Sequence, residues 1–354
     1  MDCTGGGTMK ILYGVQATGN GHITRARQML PYLIDQGFEV DFIFSGRPKD
    51  AYFDMAQFGD FITRHGFTFE YKGDKVSITN TVLKSRPIEF IRDYISLARH
   101  LDKYEFVLND FEPISAWAAR RAGVPSVGLS HQYALSYPIA DYDFPIGFRA
   151  GLKFFAPAKH RLGVHWDSFG YPILPPLISL HSDIETKNDG FTLVYLPIDS
   201  LEKLIDVFVQ IPEQKFVLYT KINKPYTKAN IEIKPLSRET FPIDFAHCDG
   251  VISNSGFGLC SEAMVLGKNI LTIPLKSHTE QQSNAAVLKL LNRATVVHSL
   301  EAEVIRSWIA KPDPPKAVFP NVALEVSRWL KKGDFSTTQK LSDDLWAQTY
   351  NVKI

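Results

Sequence analysis

The sequence predicts an α/β protein built on two successive parallel sheets, and three observations carry that prediction. The stretch KILYGV at residues 10–15 is a short apolar run that enters the glycine-rich turn Thr18-Gly19-Asn20-Gly21. The same order of apolar run, turn and helical pattern returns at residues 104–130 and again from Phe191. Between the two series, Pro172, Pro175 and Pro176 punctuate the chain as a linker would. Strands that alternate with helices are joined by crossovers, so the strands of each series are expected to pair in parallel.

The elements follow in order. After Gly21, residues Ala26, Met29, Leu30, Leu33 and Ile34 recur at helical spacing. Pro31 lies within that pattern and is expected to kink the helix or end its first part. Gly37 suits the position just past the helix end, and FEVDFIF at 38–44 is the next strand. Tyr104–Leu108 is a strand, residues 110–112 its outgoing loop, and Pro113 a first helical residue. An alanine-rich helix ends near Gly123, and VPSVGLS supplies another strand. Residues 133–170 are rich in aromatic, proline and basic residues and read as the tail of the first domain plus loops facing a cleft. The second series opens with FTLVYLP at Phe191, followed by Ile198-Asp199-Ser200, which can cap a helix. Strands are expected near Lys215–Tyr219, Gly250–Ser253 and Asn269–Ile273, and the chain turns helical from Val322. The expected division is a flexible extension at 1–8, a first Rossmann-like domain at 9–172 and a second at 173–335. A C-terminal helix at 336–354 can return to the first domain.

Composition narrows the function. With 354 residues, of which 45% are apolar, the chain suffices for two domains with real cores. Its 39 basic and 38 acidic residues balance, so no electrostatic footprint for nucleic acid is present. Cys3, Cys248 and Cys260 form no CxxC pair and no even disulfide set, and a cytoplasmic setting is the simplest reading. No run reaches 18 apolar residues, which argues against a spanning helix, although contact with the inner face of a membrane stays open. MDCTGGGT at the start lacks the basic and apolar regions of a signal peptide.

Several polar residues stand out. Ser255 and Gly256 follow the strand GVIS and open a helix, where amides and the helix dipole favour an anion. Ser255 can equally be an ordinary helix cap. Glu262 sits two turns into that small, apolar helix. A buried carboxylate needs a partner or a cleft, and a ribose offers two hydroxyls. Gln281 and Gln282 follow the strand NILTIP; Thr279-x-x-Gln282 fits a capping box, which leaves Gln281 as the freer amide for a sugar hydroxyl. In ATGNGHITRA, His22 lies at a helix entrance and is a candidate general base, since histidine titrates near neutrality. A carboxylate must fix its tautomer, and Asp110 and Glu112 are candidates. Asp141-Tyr142-Asp143 mimics a metal-binding pattern but sits in a proline-rich loop and reads as chance. The histidines show no metal-ligand spacing. No metal or cofactor is expected.

Together these segments resemble the GT-B glycosyltransferases, and within them the MurG-like group of family 28. The pattern Ser255-Gly256, Glu262, Gly267, Pro274, Gln281-Gln282 matches without a gap, and TGNGH resembles the family's glycine loop. The resemblance implies two Rossmann-like domains facing across a cleft, the first binding the acceptor and the second the nucleotide sugar. It also implies an inverting, metal-independent transfer of a hexose or N-acetylhexosamine from a nucleoside-diphosphate sugar, with uridine as the expected base, to a glycan or lipid-linked acceptor. It assigns Ser255 and Gly256 to the diphosphate, Glu262 to the ribose, and Gln281 and Gln282 to the donor sugar, with Ser200 also on the donor side. Gly19, Asn20, Gly21 and Glu112 fall near the acceptor and leaving phosphates, and His22, oriented by Asp110, becomes the base. Asn254 stands where the MurG pattern has arginine, and the loop DFEP departs from the MurG acceptor loop. The resemblance is therefore to a sister group rather than to the peptidoglycan enzyme. A UDP-sugar 2-epimerase of the same fold and a degenerate nucleotide-sugar-binding relative are the alternatives.

Overall fold

The computed structural model describes residues 8–52, 55–66, 71–72, 75–76, 86–140, 142–178 and 184–354. The expected N-terminal extension therefore lies, except for Thr8, outside the described residues, as does Asp141.

The chain forms two compact units, Met1–Ser179 with Pro320–Gln348, and Leu180–Phe319 with Thr349–Ile354. Where the sequence placed a boundary at 172/173 and kept residues through 335 in the second domain, the contacts group 173–179 and 320–335 with the first unit.

In the first unit, β1 (Met9–Gln16) leads through the glycine turn into α1 (Asn20–Asp35), then β2 (Phe38–Ser45) and β3 (Phe61–Arg64). A short antiparallel pair, β4 (Tyr71–Lys72) and β5 (Lys75–Val76), stands apart from the main sheet. Next come α2 (Pro87–Ala98), β6 (Phe106–Asp110), α3 (Pro113–Ala122), β7 (Ser126–Ser130), α4 (His131–Ala134), α5 (Phe148–Phe155), β8 (His160–Val164) and β9 (Ile173–Leu174). The sheet order is β3-β2-β1-β6-β7-β8-β9, every pair parallel. The order reverses between β1 and β6. That is the switch point at which open α/β sheets leave a crevice beyond the carboxyl ends of their strands.

Local chemistry explains these elements. Strands β1, β6 and β7 are nearly continuous apolar runs because helices cover both faces of a parallel sheet. Helix α1 passes through Pro31 rather than ending there. Pro31 is exposed, so the Arg27 carbonyl that loses its helical donor can be solvated. Ile34, grouped with the buried face by spacing, is 57% exposed. Glu112 caps α3, Pro113 takes its first turn, and Gly123 ends it with φ +70°. The aromatic stretch at 133–170 supplies β8 and packs into two clusters, one around Phe111, Tyr133 and Phe155 and one around Leu135, Ile139 and Ile173.

The second unit runs β10 (Phe191–Tyr195), α6 (Leu201–Phe208), β11 (Lys215–Thr220), β12 (Tyr226–Lys228), β13 (Ile231–Pro235), α7 (Thr240–His247), β14 (Gly250–Ser253), α8 (Phe257–Leu266), β15 (Asn269–Thr272), α9 (Thr279–Leu290), β16 (Ala294–Val296) and α10 (Ala302–Ile309). Its order is β12-β13-β11-β10-β14-β15-β16, parallel except at β12. The switch point falls between β10 and β14. One face is packed by Phe208, Phe216, Ile252, Leu271 and Trp308.

The chain then returns to the first unit with α11 (Val322–Lys332) and α12 (Thr338–Trp346). Phe335, between them, meets Phe106 edge-on at 5.1 Å, and Ser342 Oγ and Trp346 Nε1 both donate to the Ile173 carbonyl at 2.7 Å. Among the described residues no helix is long and apolar enough to cross a membrane.

Candidate functional site

Each sheet gathers polar residues at its own switch point. In the first unit, β1 ends at Gln16 and α1 begins at Asn20 with Gly19 as its N-cap; no side chain caps it. Arg47 braces the turn, donating from Nε to the Ala17 carbonyl and from Nη2 to Asn20 Oδ1 at 3.0 Å. Neither Gly19 nor Gly21 is demanded by packing: a Cβ at either would meet nothing within 4 Å, and Gly19 has an ordinary φ of −115°. The backbone there is open.

His22 lies in the first turn of α1, almost buried. Its Nδ1 is 2.7 Å from Asp110 Oδ1, at the end of β6. The Asp110 side chain is fully buried and also accepts from Arg25, Nε to Oδ2 at 2.7 Å and Nη2 to Oδ1 at 3.0 Å. Burial alone pushes the Asp110 carboxyl up, but the Arg25 charge, then His22 and the hydrogen bonds, hold it below the ordinary carboxylate value. An ionised Asp110 only accepts, so Nδ1 of His22 carries a proton, and in the neutral imidazole Nε2 is the nitrogen with the lone pair. Among the described residues no protein group bonds Nε2.

Of the two carboxylates weighed for His22, only Asp110 reaches it. Glu112 is withdrawn from any loop role. It is fully buried, Oε1 accepts from the Ile114 amide at 2.8 Å and from Ser45 Oγ at 2.7 Å, and Oε2 accepts from the Ser115 amide at 2.6 Å. Burial pushes its carboxyl up against these bonds. It is a helix cap because Pro113 supplies no amide and the next two must be satisfied. Sequence reasoning missed Arg25. Its signal was available: three residues after His22, it shares that residue's helix face, and a basic residue on a buried face needs a carboxylate.

In the second unit, the turn after β14 departs from expectation. Ser255 is fully buried and does not cap α8; Gly256 holds the N-cap position. Thr272 Oγ1 donates to the Ser253 carbonyl, so it accepts from Ser255 Oγ at 2.9 Å. The serine side chain thus serves the strands rather than a ligand. What remains open is backbone: α8 has no side-chain cap and no acidic residue in its first turn, and a Cβ at Gly256 or Gly258 would meet nothing within 4 Å.

Glu262 is half-buried on α8, and no hydrogen bond or ion pair engages it among the described residues. Burial pushes its carboxyl up to about 7. Ser200 occupies the N-cap of α6 after β10, exposed, with its hydroxyl making no cap bond. Gln281 and Gln282 both turn to the loop after β15. Gln281 Oε1 accepts from the Leu275 amide at 3.0 Å, and Gln282 Nε2 donates to the Leu275 carbonyl at 2.9 Å. The expected capping box does not form, because His278 rather than Thr279 is the N-cap of α9. Each glutamine keeps one amide atom beyond this clamp, Nε2 of Gln281 and Oε1 of Gln282. Asn284 Nδ2 ties α9 to the Ser255 carbonyl at 3.0 Å.

Among the described residues, no group of three or more His, Cys, Asp or Glu side chains is placed to hold a metal ion.

Comparison with known proteins agrees with this architecture. A family model described as glycosyl transferase family 1 matches residues 9–162 and 169–312. No curated protein matches the sequence. Among solved structures, the glycosyltransferase of kitacinnamycin is similar at 15% identity and TM-score 0.61, over 96% of this chain and 99% of that one. LpCGTa, in complex with UDP, is similar at 14% identity and TM-score 0.61, over 97% and 99%. MurG of Acinetobacter baumannii is similar at 15% identity and TM-score 0.52, over 95% of each chain. At these identities the likeness shows the fold, GT-B. The finer expectation is broadened: the matching family carries the family 1 description, and MurG stands beside other glycosyltransferases.

Proposed function

Since the chain belongs to glycosyl transferase family 1, we propose that it moves a hexose or N-acetylhexosamine from a nucleoside-diphosphate sugar to an acceptor hydroxyl, with inversion and without a metal. The observation that carries the reading is His22, whose Nδ1 is fixed on a buried carboxylate while Nε2 has no protein partner. That is the arrangement of an oriented general base.

In this mechanism Nε2 takes the acceptor hydroxyl proton as the oxygen bonds to the anomeric carbon from the face opposite the leaving group. The bond from that carbon to the phosphate oxygen breaks, and its electron pair leaves with the nucleoside diphosphate. Asp110 stabilises the imidazolium so formed. The uncapped amides at the start of α8 receive the diphosphate charge. Glu262, lacking a protein partner, accepts from the ribose hydroxyls, and Gln281 and Gln282 offer their remaining amide atoms to the sugar. The MurG-like motif order supports the same assignment, although Ser255 contributes only backbone. The UDP complex of LpCGTa makes uridine the first base to test. The 2-epimerase alternative needs acidic groups around the sugar, and the capping role of Glu112 removes one of the two that kept it open.

Calorimetric titration with UDP, GDP, dTDP and CMP tests the donor half. One nucleotide is expected to bind, and Glu262→Ala to weaken it by roughly 1–3 kcal/mol. His22→Ala is expected to abolish turnover and leave that affinity intact. If no nucleotide binds, or if His22→Ala turns over like the wild type, the proposal fails; nucleotide binding with no turnover in the wild type would instead make a binding relative the better description.

A further inference from the structure

We infer that Arg25 is a positioning residue that sets the basicity of His22 by sharing Asp110 with it. The inference rests on the reading of His22 as the base. Arg25 and His22 lie three residues apart on one face of α1 and converge on one carboxylate. Asp110 Oδ1 accepts from both, at 2.7 Å from His22 and 3.0 Å from Arg25, while Oδ2 is bonded to Arg25 Nε at 2.7 Å. Arg25 Nη2 stands 3.4 Å from His22 Nδ1.

This is not a simple histidine–carboxylate pair. In a simple pair the buried negative charge favours imidazolium and raises the proton affinity of the ring. Here the guanidinium already neutralises Asp110, so the trio is neutral when His22 is neutral, and protonating His22 leaves a net positive charge in a nearly closed site. The Arg25 fork also keeps the carboxylate ionised and in plane, which fixes the proton on Nδ1. Among the described residues, two phenols also couple to this cluster. Tyr13 on β1 and Tyr133 on α4 couple to Asp110, and burial pushes both up, so neither carries charge near neutrality. Arg25 shares the carboxylate that holds His22 in the tautomer whose Nε2 can accept a proton.

The test reads His22 directly, by NMR titration of its imidazole in the unliganded protein, with acid-limb pH profiles of kcat/KM once an acceptor is in hand. Arg25→Met is expected to raise the His22 midpoint by about one pH unit, as expected when an opposing charge within hydrogen-bonding range is removed. Arg25→Lys keeps the charge and is expected to hold the midpoint near wild type while lowering kcat through the lost fork. An unchanged or lowered midpoint in Arg25→Met overturns the proposal, whatever happens to activity, because a purely structural arginine would not move it in this direction. If Arg25→Met does not fold, Asp110→Asn reads the same balance. There Arg25 faces His22 with no carboxylate between them, and the midpoint is expected to fall by about one unit or more; no fall overturns the proposal. Failure of His22 as the base is a separate outcome, seen as turnover surviving in His22→Ala while the midpoints still shift as stated.

Discussion

Ser255 donates its hydroxyl to Thr272 at 2.9 Å, with both side chains fully buried. The bond ties the turn after β14 to the end of β15 and takes the serine out of the ligand's reach. Ser255→Ala is therefore expected to cost about 1 kcal/mol of stability, the usual scale for a buried neutral hydrogen bond. Nucleotide affinity should change less than about twofold. Paired urea unfolding and calorimetry check this; a large affinity loss at unchanged stability would return the hydroxyl to the site.

Glu262 gives a pH signature. Its carboxyl is pushed up to about 7 in the folded chain, from an ordinary 4.5. Between those values the folded state holds more protons than the unfolded one, so this group's contribution is complete at low pH and is lost as pH rises toward 7. Glu262→Gln should flatten that slope, which is worth at most about 3 kcal/mol and less where water reaches the carboxylate. Ribose hydroxyls that donate to Glu262 favour its charged form. Nucleotide affinity is then expected to rise from pH 6 to pH 8 more steeply in the wild type than in Glu262→Gln. Parallel slopes in the two proteins would remove the ribose from Glu262.

Glu112 should behave as structure. Glu112→Ala strands the amides of Ile114 and Ser115 in the core, while the Ser45 hydroxyl keeps Gln16 Oε1 as an acceptor at 3.1 Å. A loss of roughly 2–4 kcal/mol is expected, above that of a surface cap because the site is closed to water. Chemical denaturation measures it. The protein that remains folded should bind nucleotide as the wild type does.

The two glutamines make a clamp that can be opened from either side. Gln281→Ala should expose the Leu275 amide, and hydrogen exchange at that position is expected to speed up by about tenfold, equivalent to ~1.4 kcal/mol. Gln282→Ala should loosen the same loop through its carbonyl. If Leu275 exchanges at the wild-type rate in both, the loop is held by its backbone alone.

Much of this was legible in the residues and some was not, for physical reasons. Long apolar runs such as KILYGV and turns such as TGNG announce buried parallel strands and their crossovers, so both sheets could be anticipated, but not their strand order. Short edge strands were missed. β9 spans two residues and β12 three, too few for any period to show. His22 and Asp110 could be nominated because one opens the helix after β1 and the other ends β6. Arg25 was not nominated, because a lone arginine on a helix reads as solvent-facing until a buried acceptor is seen. Ser255 was read as a diphosphate ligand or a helix cap, and Thr279 as fitting a capping box, from residue type and position alone. Which way a serine points at a sheet's edge depends on a neighbouring strand, here Thr272, and no local pattern carries that.

The return of residues 320–348 to the first unit also bears on biosynthesis. Strands β1 to β9 leave the ribosome early, but Phe106 and Ile173 meet their partners Phe335, Ser342 and Trp346 only after some 140 residues of the second unit have followed. During translation the second unit, nearly contiguous in sequence, can close on itself while the first still lacks two helices and exposes the apolar surface they will cover. The first unit is therefore completed only once residues 320–348 have been made, and the second only with the last six residues, 349–354.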